Sequence, residues 1–155
     1  MRVSRSVEVA APPPVVWAVL LDWERQAEWM RDADRVQVRS ANREGLGVVV
    51  AVKTRVFNVP LFTELLEVVG WAPPTLLVVA HRSGIRGNGE WLLEPVAGGT
   101  RFTWTEDLHL PVPLVGELAL RVYRPFMRWL MGGAMGDLAA FVLREGGAYG
   151  AEEAV

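Results

Sequence analysis

Cysteine is absent from this chain of 155 residues, which excludes a disulfide scaffold, thiolate catalysis and cysteine-ligated zinc or iron–sulfur sites. Histidine is scarce. His81 and His109 are the only two, and without an HExxH spacing they make no metal site. An excess of one charge is lacking too: the net charge is -2 and the pI about 5.7, so no bulk attraction to nucleic acid is expected. The charge-free runs at 9–21 and 68–80 fall short of the roughly 18 residues needed to span a bilayer, and both contain proline. No integral membrane segment is therefore expected. The first residues make a poor signal peptide, because Arg2, Arg5 and Glu8 alternate with valines and "PPP" breaks the apolar run. These features predict a cytoplasmic protein.

Two further chemistries lack their context. Ser4, Ser6, Ser40 and Ser83 stand in no nucleophile elbow, and "GNGEWL" lacks the strand-then-helix setting of a dinucleotide loop. No cofactor is expected.

What the chain does have is apolar material and alternation. Hydrophobic residues make up 51% and mean hydropathy is +0.20, so a substantial core is available to one domain of this length. "RVSRSVEV" alternates as a half-buried strand. "PPPVVWAVLL" predicts a helix over 13–21, since proline is tolerated in a first turn, and Asp22 can cap a second short helix through "WERQAEW". From Asp34 to His109, six strand-like runs alternate with turn signals, among them "FN" at 57–58, "SG" at 83–84 and "AGG" at 97–99. After Pro113, Met127, Leu130, Ala134, Leu138 and Phe141 recur at helical spacing. Pro125 is expected to kink or divide this helix, and the glycine-rich residues 147–155 to form a flexible tail behind a single domain of 1–146.

In "TRFTWTEDLHLP", period two puts Phe102, Trp104, Glu106 and Leu108 on one face, with Arg101, Thr103, Thr105, Asp107 and His109 on a solvent face. Glu106 is the one carboxylate in an apolar row. A desolvated carboxyl there is either a polar anchor or an acid/base with raised pKa. If "SG" closes a two-residue hairpin, Arg82 and Ile85 lie opposite one another, Leu76, Val78 and Ala80 point inward with Arg82, and His81 points out. A one-residue slip brings His81 inward instead. In "IRGNGEWLL" the same face would carry Ile85, Gly87, Gly89, Trp91 and Leu93, with two side-chain-free positions that leave space.

The stretches "VEVAAPPPVVWAVLLDWERQAEWM" (7–30) and "GNGEWLLEPVAGGTRFTWTEDLHLP" (87–111), in this element order, resemble the SRPBCC or START-related superfamily, which includes polyketide cyclase/dehydrase and lipid-transport proteins and small bacterial members. The resemblance implies an α+β helix-grip fold: a curved seven-stranded antiparallel sheet, two short helices after the first strand, and a long C-terminal helix packed across the sheet over a cavity. It further implies binding of a small hydrophobic molecule, such as a lipid, fatty acid or polycyclic aromatic. Trp29, Ile85, Trp91, Phe102, Trp104, Glu106, Met127, Leu130, Ala134 and Leu138 are the expected lining. The alternative is an aromatase/cyclase in which Glu106 works with Arg82 or His81; a third is an interaction module docking through Trp129 or "LPVPLV". A monomer or weak dimer is expected.

Overall fold

The computed structural model describes residues 1–56, 59–112 and 114–151. The alternating runs become seven strands: β1 (Arg2–Val9), β2 (Ala33–Val38), β3 (Val49–Val56), β4 (Val59–Ala72), β5 (Leu76–His81), β6 (Arg86–Val96) and β7 (Gly99–His109). They form one antiparallel sheet in the order β1-β7-β6-β5-β4-β3-β2. The chain thus meanders from β2 to β7, and β1 closes beside the last strand. Each pair is joined by local chain reversal apart from β1–β7, which must be brought together from opposite ends of the sequence.

Between β1 and β2 run α1 (Pro13–Leu21) and a short 3-10 helix, Trp23–Glu28. The carboxylate of Asp22 does not cap that helix. It accepts instead from the Tyr149 hydroxyl at 2.8 Å, a partner more than a hundred residues away. This contact also explains why the C-terminal helix α2 (Val115–Ala151) runs on through residues expected to be a loose tail: residues 147–151 are helical, and Tyr149 ties that last turn to the start of the 3-10 helix. Residues 152–155, the "FN" turn and Pro113 lie outside the described residues.

α2 continues through Pro125 without division. An interior proline removes one backbone hydrogen bond, but Pro125 lies on the exposed side of the helix, where water can serve the freed carbonyl. The opposite stripe, Met127, Leu130, Ala134, Leu138 and Phe141, is buried. By length and composition α2 would pass for a membrane span; here its apolar stripe covers the sheet as the core helix. Among the helix glycines, Gly133 has a clear reason. A Cβ there would strike the guanidinium of Arg31, which lies across the helix to pair with Asp137 at 2.6 Å. The glycine therefore accommodates a side chain, not a ligand or another backbone.

α2 rests chiefly on β1 and α1, with a smaller contact to β7. Its first turns stand largely in solvent, with Leu114, Val115, Leu118 and Val122 exposed. The inner faces of β3, β4 and β5 are in consequence only partly roofed.

Candidate functional site

Directly paired residues in a sheet share a face, so the register decides which side chains meet. Trp91 pairs with Trp104, and Gly89 with Glu106; His81 pairs with Gly87 and Leu66 with His81. The inner face therefore carries Leu77, Val79 and His81 on β5, and Phe62, Glu64, Leu66 and Val68 on β4. It also carries Gly87, Gly89, Trp91 and Leu93 on β6, and Phe102, Trp104, Glu106 and Leu108 on β7. The alternation read in β7 holds for Glu106, which is buried. It holds for Thr105 too, which faces outward opposite Ser4 and Glu90 although it is buried; its hydroxyl pairs with that of Ser4 across the β1–β7 ladder at 2.9 Å.

Of the two registers the sequence leaves open, the structure takes the one with His81 inward and not Arg82. β5 and β6 are joined by more than a two-residue turn, so His81, not Arg82, opposes Gly87. With that slip Leu76, Val78 and Ala80 turn to the outer face. Arg82 is exposed and its Nε donates to Glu67 at 2.7 Å.

The inward group is His81, held between two carboxylates. Its Nδ1 lies 2.6 Å from Glu64 Oε1 and its Nε2 lies 3.1 Å from Glu106 Oε2. All three side chains are nearly buried, 8% to 12% exposed. Burial alone would lower the imidazole pKa; the hydrogen bonds to Glu106 and Glu64, and their negative charge, outweigh it and raise the pKa to about 9. His81 is thus a cation at neutral pH, with both ring nitrogens donating. Glu106 Oε1 accepts from Trp104 Nε1 at 2.7 Å, so the carboxylate is fixed at both oxygens. Gly89 makes this possible: a Cβ there would stand 2.8 Å from Glu106 Oε1. The space expected at Gly89 is filled by the Glu106 carboxylate, and at Gly87, whose φ is 134°, by the backbone of Asp107.

Beside this row is a cavity of about 90 Å³, bounded by Met30 and Asp32 after the 3-10 helix, by Glu64, His81, Ile85, Trp104, Glu106 and Leu108 on the sheet side, and by Tyr123 and Met127 on α2. Of the residues expected to line it, Ile85, Trp104, Glu106 and Met127 do so. Trp29, Trp91, Phe102, Leu130, Ala134 and Leu138 do not: they are packed core. Trp91 lies 5.9 Å from Trp29 and 6.0 Å from Phe102, ring centre to ring centre, and α2 seats on that cluster, confining free space to the partly roofed end.

Two carboxylates escaped the sequence reading, Glu64 and Asp32. Asp32 lies in the turn before β2, its Oδ1 buried and without a hydrogen-bond partner. Desolvation, with a smaller contribution from the charges of Glu106 and Glu64, lifts its pKa to about 6. The Tyr123 phenol is likewise raised, by burial first and then by Asp32 and Glu64. His109 is exposed. Among the described residues no group of three or more ligating side chains is placed to hold a metal ion.

This arrangement offers apolar walls, one imidazolium and three carboxylates, which can orient a polar group or pass a proton. The fold is shared with solved structures at low identity. TTHA0849 from Thermus thermophilus matches with TM-score 0.76 and 20% identity over 93% of this chain and 98% of that one. The Zhui aromatase/cyclase from Streptomyces sp. R1128 matches with TM-score 0.77 and 18% identity over 94% of each chain. A START superfamily protein from Mycobacterium smegmatis matches with TM-score 0.63 and 16% identity over 90% of this chain and 92% of that one. No curated protein matches by sequence. The family model described as polyketide cyclase/dehydrase and lipid transport matches residues 1–142, nearly all of the sheet and helix just described, and the chain belongs to that family.

Proposed function

We propose that the protein binds a small, mainly apolar organic molecule in the cavity between sheet and α2, with its polar end turned to the charged groups there, Asp32 and the Glu64–His81–Glu106 row. The observation that carries this reading is the buried row itself, set beside a partly open pocket on an otherwise mainly apolar face. Buried ion pairs of this kind contribute little or nothing to stability compared with apolar packing, and perturbed titratable groups in a cleft mark functional sites. Both kinds of activity in the family's description, lipid transport and cyclase/dehydrase chemistry, need such a chamber.

Size narrows the ligand. At about 90 Å³ the cavity is smaller than the ~150 Å³ void that takes benzene. Pockets for drug-sized ligands run to about 300–1,000 Å³. A compact body on the order of five non-hydrogen atoms fits the chamber as it stands. A fatty acid chain or a polycycle requires the exposed first turns of α2 to lift.

A second reading, cyclase or dehydrase catalysis, is favoured by one feature: His81 bridges two carboxylates while Asp32 titrates near neutrality, a pairing of acid and base suited to proton transfer. Arg82 has no part in it.

Thermal unfolding against a panel of compact apolar compounds tests the binding reading. A ligand at about 100 times its Kd adds about 2.7 kcal/mol, or roughly 5–10 °C in Tm for a domain of this size. The shift should vanish when Val52, on the cavity wall, is replaced by Phe. A panel that moves neither protein refutes the reading.

A further inference from the structure

We propose that the polar group this cavity accepts is a cation, an ammonium carried on a compact apolar body, and that Asp32 is the residue that meets it. The inference rests on the binding reading above and specifies its ligand.

The charges facing the cavity do not balance. Asp32 comes from the turn before β2, Glu64 from β4, Glu106 from β7 and His81 from β5, with the neutral phenol of Tyr123 from α2. Among the described residues neither lysine nor arginine lines it. The nearest influence of that sign, Arg55 on β3, is felt by Asp32 only as a weak Coulomb attraction; its guanidinium donates to the Arg31 carbonyl at 3.2 Å and lies 3.9 Å from Asp34. Three carboxylates thus share one imidazolium.

Nor are the four groups equally satisfied. Both nitrogens of His81 are engaged by Glu64 and Glu106, and Glu106 also accepts from Trp104. The row is closed on itself. Asp32 is the member left over: its own backbone N–H favours the carboxylate, but its Oδ1 is buried with no hydrogen-bond partner among the described residues. A buried acceptor without a donor is costly, and more so when ionised. Its pKa of about 6 leaves it mostly ionised at pH 7.5. The missing complement is a donor with positive charge, which an alkylammonium supplies and which a fatty acid carboxylate would make worse by adding a fourth negative group.

Three compounds of one shape separate the possibilities: isobutylamine, isobutanol and isobutyrate, titrated while following the indole N–H resonance of Trp104, which sits in the cavity wall. At pH 7.5 the amine should bind at least tenfold more tightly than the alcohol, and isobutyrate should give no saturable shift. At pH 5, where Asp32 carries a proton, the amine's advantage should fall by about tenfold, since His81 and the amine stay charged and Tyr123 stays neutral at both pH values. Asp32→Asn should remove both the advantage and its pH dependence. The pH series on the unaltered chain stands even if that variant folds poorly. Isobutanol binding as tightly as the amine, isobutyrate binding as tightly as either, or an amine advantage that survives pH 5 overturns the inference and leaves the binding reading intact. Absence of a saturable shift with all three overturns both.

Discussion

Replacing His81 with Leu should destabilise the fold by about 3–5 kcal/mol at pH 6, the cost of leaving two buried carboxylates without their shared cation. Glu106 would keep the Trp104 indole as donor, but Glu64, 2.6 Å from Nδ1, would lose its close partner. The pH dependence has a definite sign. The His81 pKa is raised from 6.5 to about 9, so its contribution, about 3 kcal/mol, is fully present below pH 6.5 and is lost as pH rises through about 9. The gap between wild type and His81→Leu should therefore narrow between pH 6 and pH 9.5. Adding Glu64→Met and Glu106→Met to His81→Leu should recover most of the stability, because an apolar set of similar volume replaces the whole charged row. Urea unfolding at the two pH values reads all of this. A His81→Leu protein as stable as wild type at pH 6 would mean that the row does not form in solution.

The second large effect runs in the opposite direction. Asp32→Asn should stabilise the protein by about 1–3 kcal/mol at pH 7.5, as an amide of the same shape removes a desolvated charge. The Asp32 pKa is raised from 3.8 to about 6. A raised carboxyl pKa means that the folded state holds the proton more tightly, so stability from this group is full below pH 3.8 and lost as pH rises through about 6. Wild type and variant should accordingly coincide near pH 4, diverge between about pH 4 and pH 6, and stay apart by a constant gap above that. Denaturant midpoints at pH 4 and 7.5 decide it; a variant less stable than wild type at pH 7.5 contradicts the account. Retaining a residue that weakens the fold is what a binding or catalytic role would require.

These two residues also mark the limit of what the sequence discloses. Element order and strand faces were legible where alternation is clean. In β7 the row Phe102, Trp104, Glu106, Leu108 announces a carboxylate on the inner face, and the burial of Glu106 agrees. β4 carries the same signature in Phe62, Glu64, Leu66 and Val68, yet Leu61 and Leu65 on its other face are apolar and exposed, which hides the period. His81 was decided by the length of one turn. The faces of β6 follow from Gly87, Gly89 and Trp91, but the turn before them leaves two registers of β5 open, and a one-residue difference exchanges neighbours across a sheet. Asp32 had no signal at all: a turn has no period, and its role arises only because positions 32, 64, 81 and 106 meet once the sheet has curved. The aromatic residues mislead for a different reason. Trp29, Trp91 and Phe102 look like a ligand box by composition, but large rings also fill cores by edge-to-face packing, and here α2 closes down upon them.

The small chamber and the exposed start of α2 belong together. A helix anchored at its C-terminal half by Phe141, Leu138 and the Tyr149–Asp22 hydrogen bond, and only loosely covered at its N-terminal half, can admit a ligand at one end without disturbing the core at the other. Tyr123 and Met127 are the cavity-lining residues on that looser half.

The most direct test is the content of the cavity in protein purified from its native source, read as electron density with the released compound identified by mass spectrometry. The account predicts one ordered organic molecule, apolar in body, with its polar group against Asp32 or the Glu64–His81–Glu106 row. A cavity holding only water that bridges Asp32 to its neighbours, in protein from which no organic compound is released, would contradict it.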